Sequence, residues 1–314
     1  MKLIRIASRG SKLALIQANL VRKLLEDIYP DIRCSIVQVT TKGDRDKSDF
    51  LYKAGSIGFF TSEVENALLD GRADLAVHSL KDMPTLQREG LVVAAIPKRE
   101  SPADALVARE KVTSIKDLPS GTTIGTSSLR RIAQLKMLRD EIKCVPLRGN
   151  VETRIRKVDA GRIDAIVIAC AGLMRLGLDD KISAVLPPAE FIPAPAQGAL
   201  AVQVRADDSK LAELVTKIDD KDSRIAVETE RCVLETLHGG CSIPLGVYSQ
   251  IQDKTITTQA ILCDIDGKNY VKRSVTSTIE QAQSSSIKLA QQLLSEGGRQ
   301  ILSNIRTNTQ SHPK

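Results

Sequence analysis

The chain has 314 residues, 42% of them hydrophobic and 26% charged, with a net charge of +7; this is the balance of a globular protein with real cores, not of a disordered one. No run approaches the roughly 20 apolar residues needed to span a bilayer, and the opening MKLIRIASRGSKLALIQA is interrupted by Arg5, Arg9 and Lys12, so neither a membrane span nor a secretory signal is expected and the cytoplasm is the expected location. Six scattered cysteines without a Cys-x-x-Cys pair and three histidines without metal spacing set aside a zinc site and a disulfide framework, while the absence of Trp leaves little for stacking bases, so no nucleic-acid partner is expected.

In chain order, Leu3–Ala7 reads as a short strand followed by the polar turn 8–11. Leu13, Gln17, Leu20 and Leu24 then recur at helical spacing, with Ile16, Val21, Leu25 and Ile28 widening the stripe. Ile36–Val39 is the second strand, and a long polar segment follows. Ser62 and Glu65 have capping-box spacing at the start of the next helix, which should stop at Gly71. Asp74–Ser79 is the third strand. The theme then returns: a strand at Thr123–Gly125, a helix after Thr126-Ser127-Ser128, a strand at Ile142–Leu147, a helix opened by Arg148-Gly149-Asn150, and a strand at Asp164–Ala169. LLDGRADLAV (68–77) and VDAGRIDAIV (158–167) match at the join. Two similar α/β lobes with largely parallel sheets are therefore expected. After about residue 217 a helix at Arg224–Leu237, three strands near 247–251, 255–262 and 270–276, and a helix at about 280–295 read as a smaller α+β domain.

Ligands of open α/β sheets sit beyond the carboxyl ends of the strands, where strand order reverses. The turns at 8–11, 78–82, 125–131 and 148–154 all follow strands, and they carry Arg9, Arg130, Arg131, Arg148 and Arg154; Arg175 follows the last strand of the second lobe. Helix N-termini favour anions, and a guanidinium matches a carboxylate with two hydrogen bonds. Any single arginine is more often an ordinary surface ion pair. The set points to a ligand with several carboxylates or phosphates, and no Gly-x-x-x-x-Gly-Lys-Ser/Thr phosphate loop is present. The lobe pattern alone leaves open a binding protein that closes on an organic anion without chemistry.

Eight ordered segments narrow this choice: RIASRGSKLALIQA (5–18), TTKGD (40–44), RADLAVHSLKDMPT (72–85), GTSSLRR (125–131), LRGNVETR (147–154), AGLMRLGL (171–178), PAPAQGAL (193–200) and HGGCSIPLG (238–246). Together they resemble the signatures of the porphobilinogen deaminase family. The resemblance implies two periplasmic-binding-protein-like α/β lobes, 1–97 with 199–216 and 98–198, plus an α+β domain at 217–314. It implies a monomeric enzyme that joins four porphobilinogens head to tail, with loss of ammonia, into the linear tetrapyrrole hydroxymethylbilane, a haem precursor. It also implies a dipyrromethane cofactor held by a thioether to Cys241, and no metal.

The same resemblance makes Asp82 the catalytic carboxylate, stabilising positive charge on the pyrrole nitrogen once ammonia has left, with Arg9 able to assist proton transfer. Ser11, Ser79, Lys81, Thr126, Ser127, Ser128, Arg130, Arg131, Arg148, Arg154 and Arg175 match positions that hold cofactor or substrate carboxylates. In a loop expected to be mobile, Ile57 stands where the family commonly has lysine, leaving Lys53 as the nearby cation and Phe60 as a ring cover. Cys34, Cys144 and Cys170 lie in or beside apolar runs and read as buried small hydrophobes.

Overall fold

The computed structural model of the chain describes residues 2–41, 61–237 and 243–310. These divide into two compact units, one of residues 2–41, 61–100 and 198–224, the other of 101–197, 225–237 and 243–310. The first unit opens with β1 (Lys2–Arg9), α1 (Lys12–Ile28), β2 (Ile32–Val39), α2 (Ser62–Leu69), β3 (Leu75–Ser79) and β4 (Leu91–Ala95). The second takes β5 (Asp104–Ala108), β6 (Thr123–Gly125), α3 (Leu129–Leu138), β7 (Lys143–Val145), α4 (Val151–Asp159), β8 (Ala165–Ala169), α5 (Cys170–Arg175) and β9 (Ala184–Leu186). The chain then returns to the first unit for β10 (Leu200–Arg205) and α6 (Ser209–Thr216). It passes into the second unit again within α7 (Lys221–Thr236), followed by β11 (Leu245–Gln252), β12 (Thr255–Cys263), β13 (Tyr270–Thr278), α8 (Ala282–Leu293) and α9 (Arg299–Gln310).

The first sheet has the order β2-β1-β3-β10-β4 and the second β7-β6-β8-β5-β9, so the two lobes share one plan. In each, three strands pair in parallel and the fourth, β10 or β5, runs antiparallel to its neighbours. That reversed strand is the one made just after the chain arrives from the other unit, so the sheets are mixed rather than all parallel. The repeated join holds in detail. Gly71 and Gly161 both take φ +66, which an L side chain rarely adopts. Asp74 then receives the Arg5 backbone N–H (2.7 Å) and Asp164 that of Thr123 (2.8 Å).

Side chains alternate across each strand. Ile4, Ile6, Leu75 and Val77 therefore bury one face of the first sheet against Ala18, Val21 and Leu25 of α1 and Leu211 and Val215 of α6. Ala7 and Ala76 face the other way, onto Val64, Ala67 and Leu68 of α2. The buried stripe of α1 is thus narrower than the expected one: Gln17, Val21 and Leu25 are buried as expected and Ala18 joins them, while Leu20 and Ile28 are exposed. The capping box at Ser62 does not form either. Thr61 is the N-cap without a side-chain bond, and Glu65 is buried, reached by the Gln203 amide from β10.

The third sheet, β11-β12-β13, is antiparallel throughout. One face packs Val247, Ala260 and Leu262 on Leu289 and Leu293 of α8 and Ile301 and Leu302 of α9. The other face places Ile261 and Cys263 against Ala133 of α3 and Ile192. The molecule therefore combines two α/β lobes with an α+β part, the latter joined to the second lobe in one compact unit.

Candidate active site

In the first unit the chain runs β1, α1, β2 to one side, then crosses back to β3 on the other, so strand order reverses between β1 and β3. Arg9 ends β1, and Ser11 caps α1 by accepting the Ala14 N–H (3.3 Å). Ser79 ends β3, where its hydroxyl meets the buried Gln17 amide at 3.0 Å. Lys81 and Asp82 follow in a single 3-10 turn. Leu80 and Met83, 2% and 4% exposed, anchor this turn from both ends and leave Asp82 exposed between them. The structure thus gathers Arg9, Ser11, Ser79, Lys81 and Asp82 at the ends of two paired strands.

The second unit repeats the arrangement at β6 and β8. Ser128 caps α3 through the Arg131 N–H, and Asn150 caps α4 through the Thr153 N–H (2.8 Å). The Ser127 hydroxyl donates to the Leu147 carbonyl (3.1 Å) and accepts the Leu147 N–H (3.0 Å), stapling the Thr126–Ser128 turn to the one that carries Arg148. Arg154 donates through Nε to the Gly149 carbonyl (2.8 Å), and Arg175 closes α5 after β8. Five guanidiniums therefore stand at the carboxyl ends of three neighbouring strands.

Arg130 and Arg131 differ from the rest. They are 4% and 7% exposed, and both turn onto Asp104, which is fully buried. Asp104 Oδ2 accepts from Arg130 Nη1 at 2.7 Å, and Oδ1 accepts from Arg131 Nε and Nη2 at 3.0 and 2.6 Å. Burial works against the Asp104 charge, yet the two guanidiniums outweigh it and hold the carboxyl well below its usual range. Desolvation lowers the Arg130 pKa, opposed by Asp104 and reinforced by Arg131.

An acidic cofactor fits this setting. Two guanidiniums share one carboxylate, and the buried Nε atoms of Arg130 and Arg148 have no hydrogen-bond partner. Such an arrangement is stable only where further anionic or polar groups complete it. Among the described cysteines, burial raises the thiol of Cys34 to about 11 and that of Cys263 to about 12, and raises those of Cys144 and Cys232. The expectations for Cys241, Lys53, Ile57 and Phe60 lie outside the described residues. Asp104 and Gln197 are not named by the sequence reading and Gln17 is read there only as part of a helical stripe, although an acid heading the apolar strand DALVA is a signal for Asp104.

Two lobes of one strand order, each with basic and hydroxyl-bearing turns at its strand-order reversal, define the class: a two-lobed α/β protein suited to an acidic ligand. Residues 4–213 match the family described as porphobilinogen deaminase, dipyromethane cofactor binding domain, and residues 224–295 match porphobilinogen deaminase, C-terminal domain. The porphobilinogen deaminase of Syntrophobacter fumaroxidans is 43% identical over 304 residues, covering 97% of this chain and 98% of that relative. That of Maridesulfovibrio salexigens is 44% identical over 305 residues, covering 97% and 99%. Among solved structures, an ancestral arginine-binding protein bound to arginine is similar at a TM-score of 0.36 and 15% identity, covering 69% of this chain and 91% of that one. The chain belongs to the porphobilinogen deaminase family, enzymes of tetrapyrrole biosynthesis that polymerise porphobilinogen.

Proposed function

We propose that this chain joins four porphobilinogen molecules head to tail into hydroxymethylbilane, using the strand-end residues of its two lobes and a dipyrromethane tethered to Cys241. The observation that carries this reading is the recurrence, at the strand-order reversal of each lobe, of basic and hydroxyl-bearing side chains suited to carboxylates. The cofactor, when bound, supplies the pyrrole end to which substrate units are joined.

Arg130, Arg131, Arg148, Arg154 and Arg175 receive acetate and propionate groups, assisted by the Thr126, Ser127 and Ser128 hydroxyls and the free N–H groups that open α3. Arg9, Ser11, Ser79 and Lys81 do the same in the first lobe. Asp82 faces the pyrrole N–H of the substrate as its amino group departs as ammonia. Its carboxylate accepts that N–H and offsets the positive charge spreading onto the ring. Arg9 ends the strand paired with β3, which supports a part for it in proton transfer during loss of the amino group. Support for Cys241 as the anchor comes from four of the other five cysteines: burial disfavours the thiolate of Cys34, Cys144, Cys232 and Cys263. We further propose that the chain acts as a cytoplasmic monomer in which residues 217–314 serve as a distinct cofactor-bearing domain. Among the described residues no helix is long and apolar enough to cross a membrane.

Intact-mass measurement tests the assignment. The purified chain should carry an adduct of two pyrrole units, absent from Cys241→Ser, and should release ammonia from porphobilinogen. An unmodified wild-type chain that binds organic anions without turnover would instead mark a receptor.

A further inference from the structure

The second unit contains a buried polar chain that the reaction as described above does not use. It begins on α7 with Glu230, which is fully buried. Glu230 Oε2 accepts the Ala196 N–H (2.6 Å) and Oε1 accepts the Ser249 N–H (2.8 Å) of β11. Ala196 sits at φ +61, a left-handed conformation that costs a non-glycine residue energy and needs an external hold. The Glu230 carboxylate is that hold.

Fixing Ala196 fixes Gln197, also fully buried. Its Nε2 donates to the Pro102 carbonyl (2.8 Å) and to Asp104 Oδ1 (3.0 Å), and its Oε1 accepts from Arg131 Nη2 (3.4 Å). Asp104 in turn carries Arg130 and Arg131, and Arg130 Nη1 also reaches the Ile192 carbonyl (2.9 Å). A guanidinium on a long side chain has many rotamers, and ordering it at the moment of binding weakens binding. Here the ordering is done in advance, by a carboxylate that takes one guanidinium on each oxygen.

We propose that Asp104 is the positioning residue that presets Arg130 and Arg131 to receive an acidic pyrrole, with Gln197 and Glu230 fixing Asp104 in turn; this rests on the function proposed above. Asp104 touches no substrate. It acts by leaving the two guanidiniums with one positive charge in excess, held in a fixed place.

The test uses full-length apo-protein made in a host that produces no porphobilinogen, with porphobilinogen added as the probe. Three quantities are read: the melting curve, the rate at which the two-pyrrole adduct appears by intact mass, and the KM and kcat of the loaded fraction. Asp104→Asn should acquire the adduct about tenfold more slowly or worse, the usual cost of losing a hydrogen-bonded charge, and should raise KM more than it lowers kcat. Asp104→Glu should recover part of the rate. Gln197→Met keeps every charge and removes only the amide bonds; it should still fold, melt somewhat below wild type because buried partners lose their bonds, and load about fivefold more slowly. If Asp104→Asn does not fold, Gln197→Met decides alone. Loading within about twofold of wild type in the folded variants, with only the melting curve lowered, overturns the proposal and leaves Asp104 as plain structure. A wild-type chain that takes up no adduct overturns the proposed function, and this inference with it.

Discussion

At Asp82 the surrounding turn and the acid can be separated by a single substitution. Leu80 and Met83 are buried and hold the backbone, while the carboxylate is exposed and carries no packing load. Asp82→Asn keeps the shape and removes the charge. Turnover should fall by about 100-fold or more, as when one preorganised electrostatic group is lost, with the adduct still present. Stability should stay within about 0.5 kcal/mol of wild type, as for surface changes generally. Ammonia release and intact mass on one sample check both halves, and near-normal turnover would remove Asp82 from the chemistry. His78, just before this turn, makes a different prediction. Burial pushes its ring down to about 4, only partly opposed by the Gln203 side chain at 3.2 Å. The native ring stays neutral while the unfolded ring takes a proton near 6.5. Its stability contribution is therefore intact above about pH 6.5 and lost as the pH falls toward 4, by up to about 3 kcal/mol. Urea melts at pH 7 and pH 5 should differ more in wild type than in His78→Gln; parallel losses in the two proteins would refute the assignment.

Among the elements, the hairpin between β12 and β13 shows how one backbone position seats a whole piece of chain. Gly267 takes φ +70, and a Cβ there would press into the Ala133 carbonyl of α3. The neighbouring Asp266 receives Lys136 of α3 at 2.9 Å, but that pair is largely exposed. Gly267→Ala should cost about 2 kcal/mol or more, because strain and overlap act together. Lys136→Ala should cost about 1 kcal/mol at most, the ordinary worth of a surface ion pair. Denaturant midpoints of the two variants check this, and the reverse order would show that charge, not backbone fit, seats the hairpin. The same contrast explains what the sequence made legible. Strand ends, helix caps at Ser128 and Asn150 and the paired glycines are local signals, and they locate the candidate residues on turns that follow strands. The stripe of α1 reads too wide in the sequence because leucines occur all round it, and only contact with β1 and β3 keeps Val21 and Leu25, adds Ala18 and leaves Leu20 and Ile28 out. Asp104 was missed because a buried acid is recognised by its distant partners, 26 and 27 residues away. α9 went unread because a polar segment with Gly297 and Gly298 before it gives weak helical periodicity; its apolar residues make sense only against the third sheet.

For the molecule as a whole, the repeated strand order means that cationic turns accumulate by construction, once in each lobe. Within the second unit Arg130, Arg131, Arg148, Arg154 and Arg175 are carried by the ends of β6, β7 and β8, with Asp104 directly paired to the first two. Like charges held together oppose folding, and a ligand bound only to the native state offsets that repulsion. The cofactor-free chain should therefore be the less stable form. If Cys241 is the anchor as proposed, Cys241→Ser should melt below the loaded wild type by a few degrees, since about 2 kcal/mol for a chain of this size corresponds to roughly 3 °C. The gap should narrow as salt is raised, because mobile ions screen the partly exposed guanidiniums of Arg148, Arg154 and Arg175 that the ligand would otherwise neutralise, while the buried Asp104 pairs respond little. Melting curves of the two proteins at low and high salt decide the point. A gap that does not change with salt would mean that the adduct stabilises by packing of its rings, and that the arginines are not held against their own repulsion.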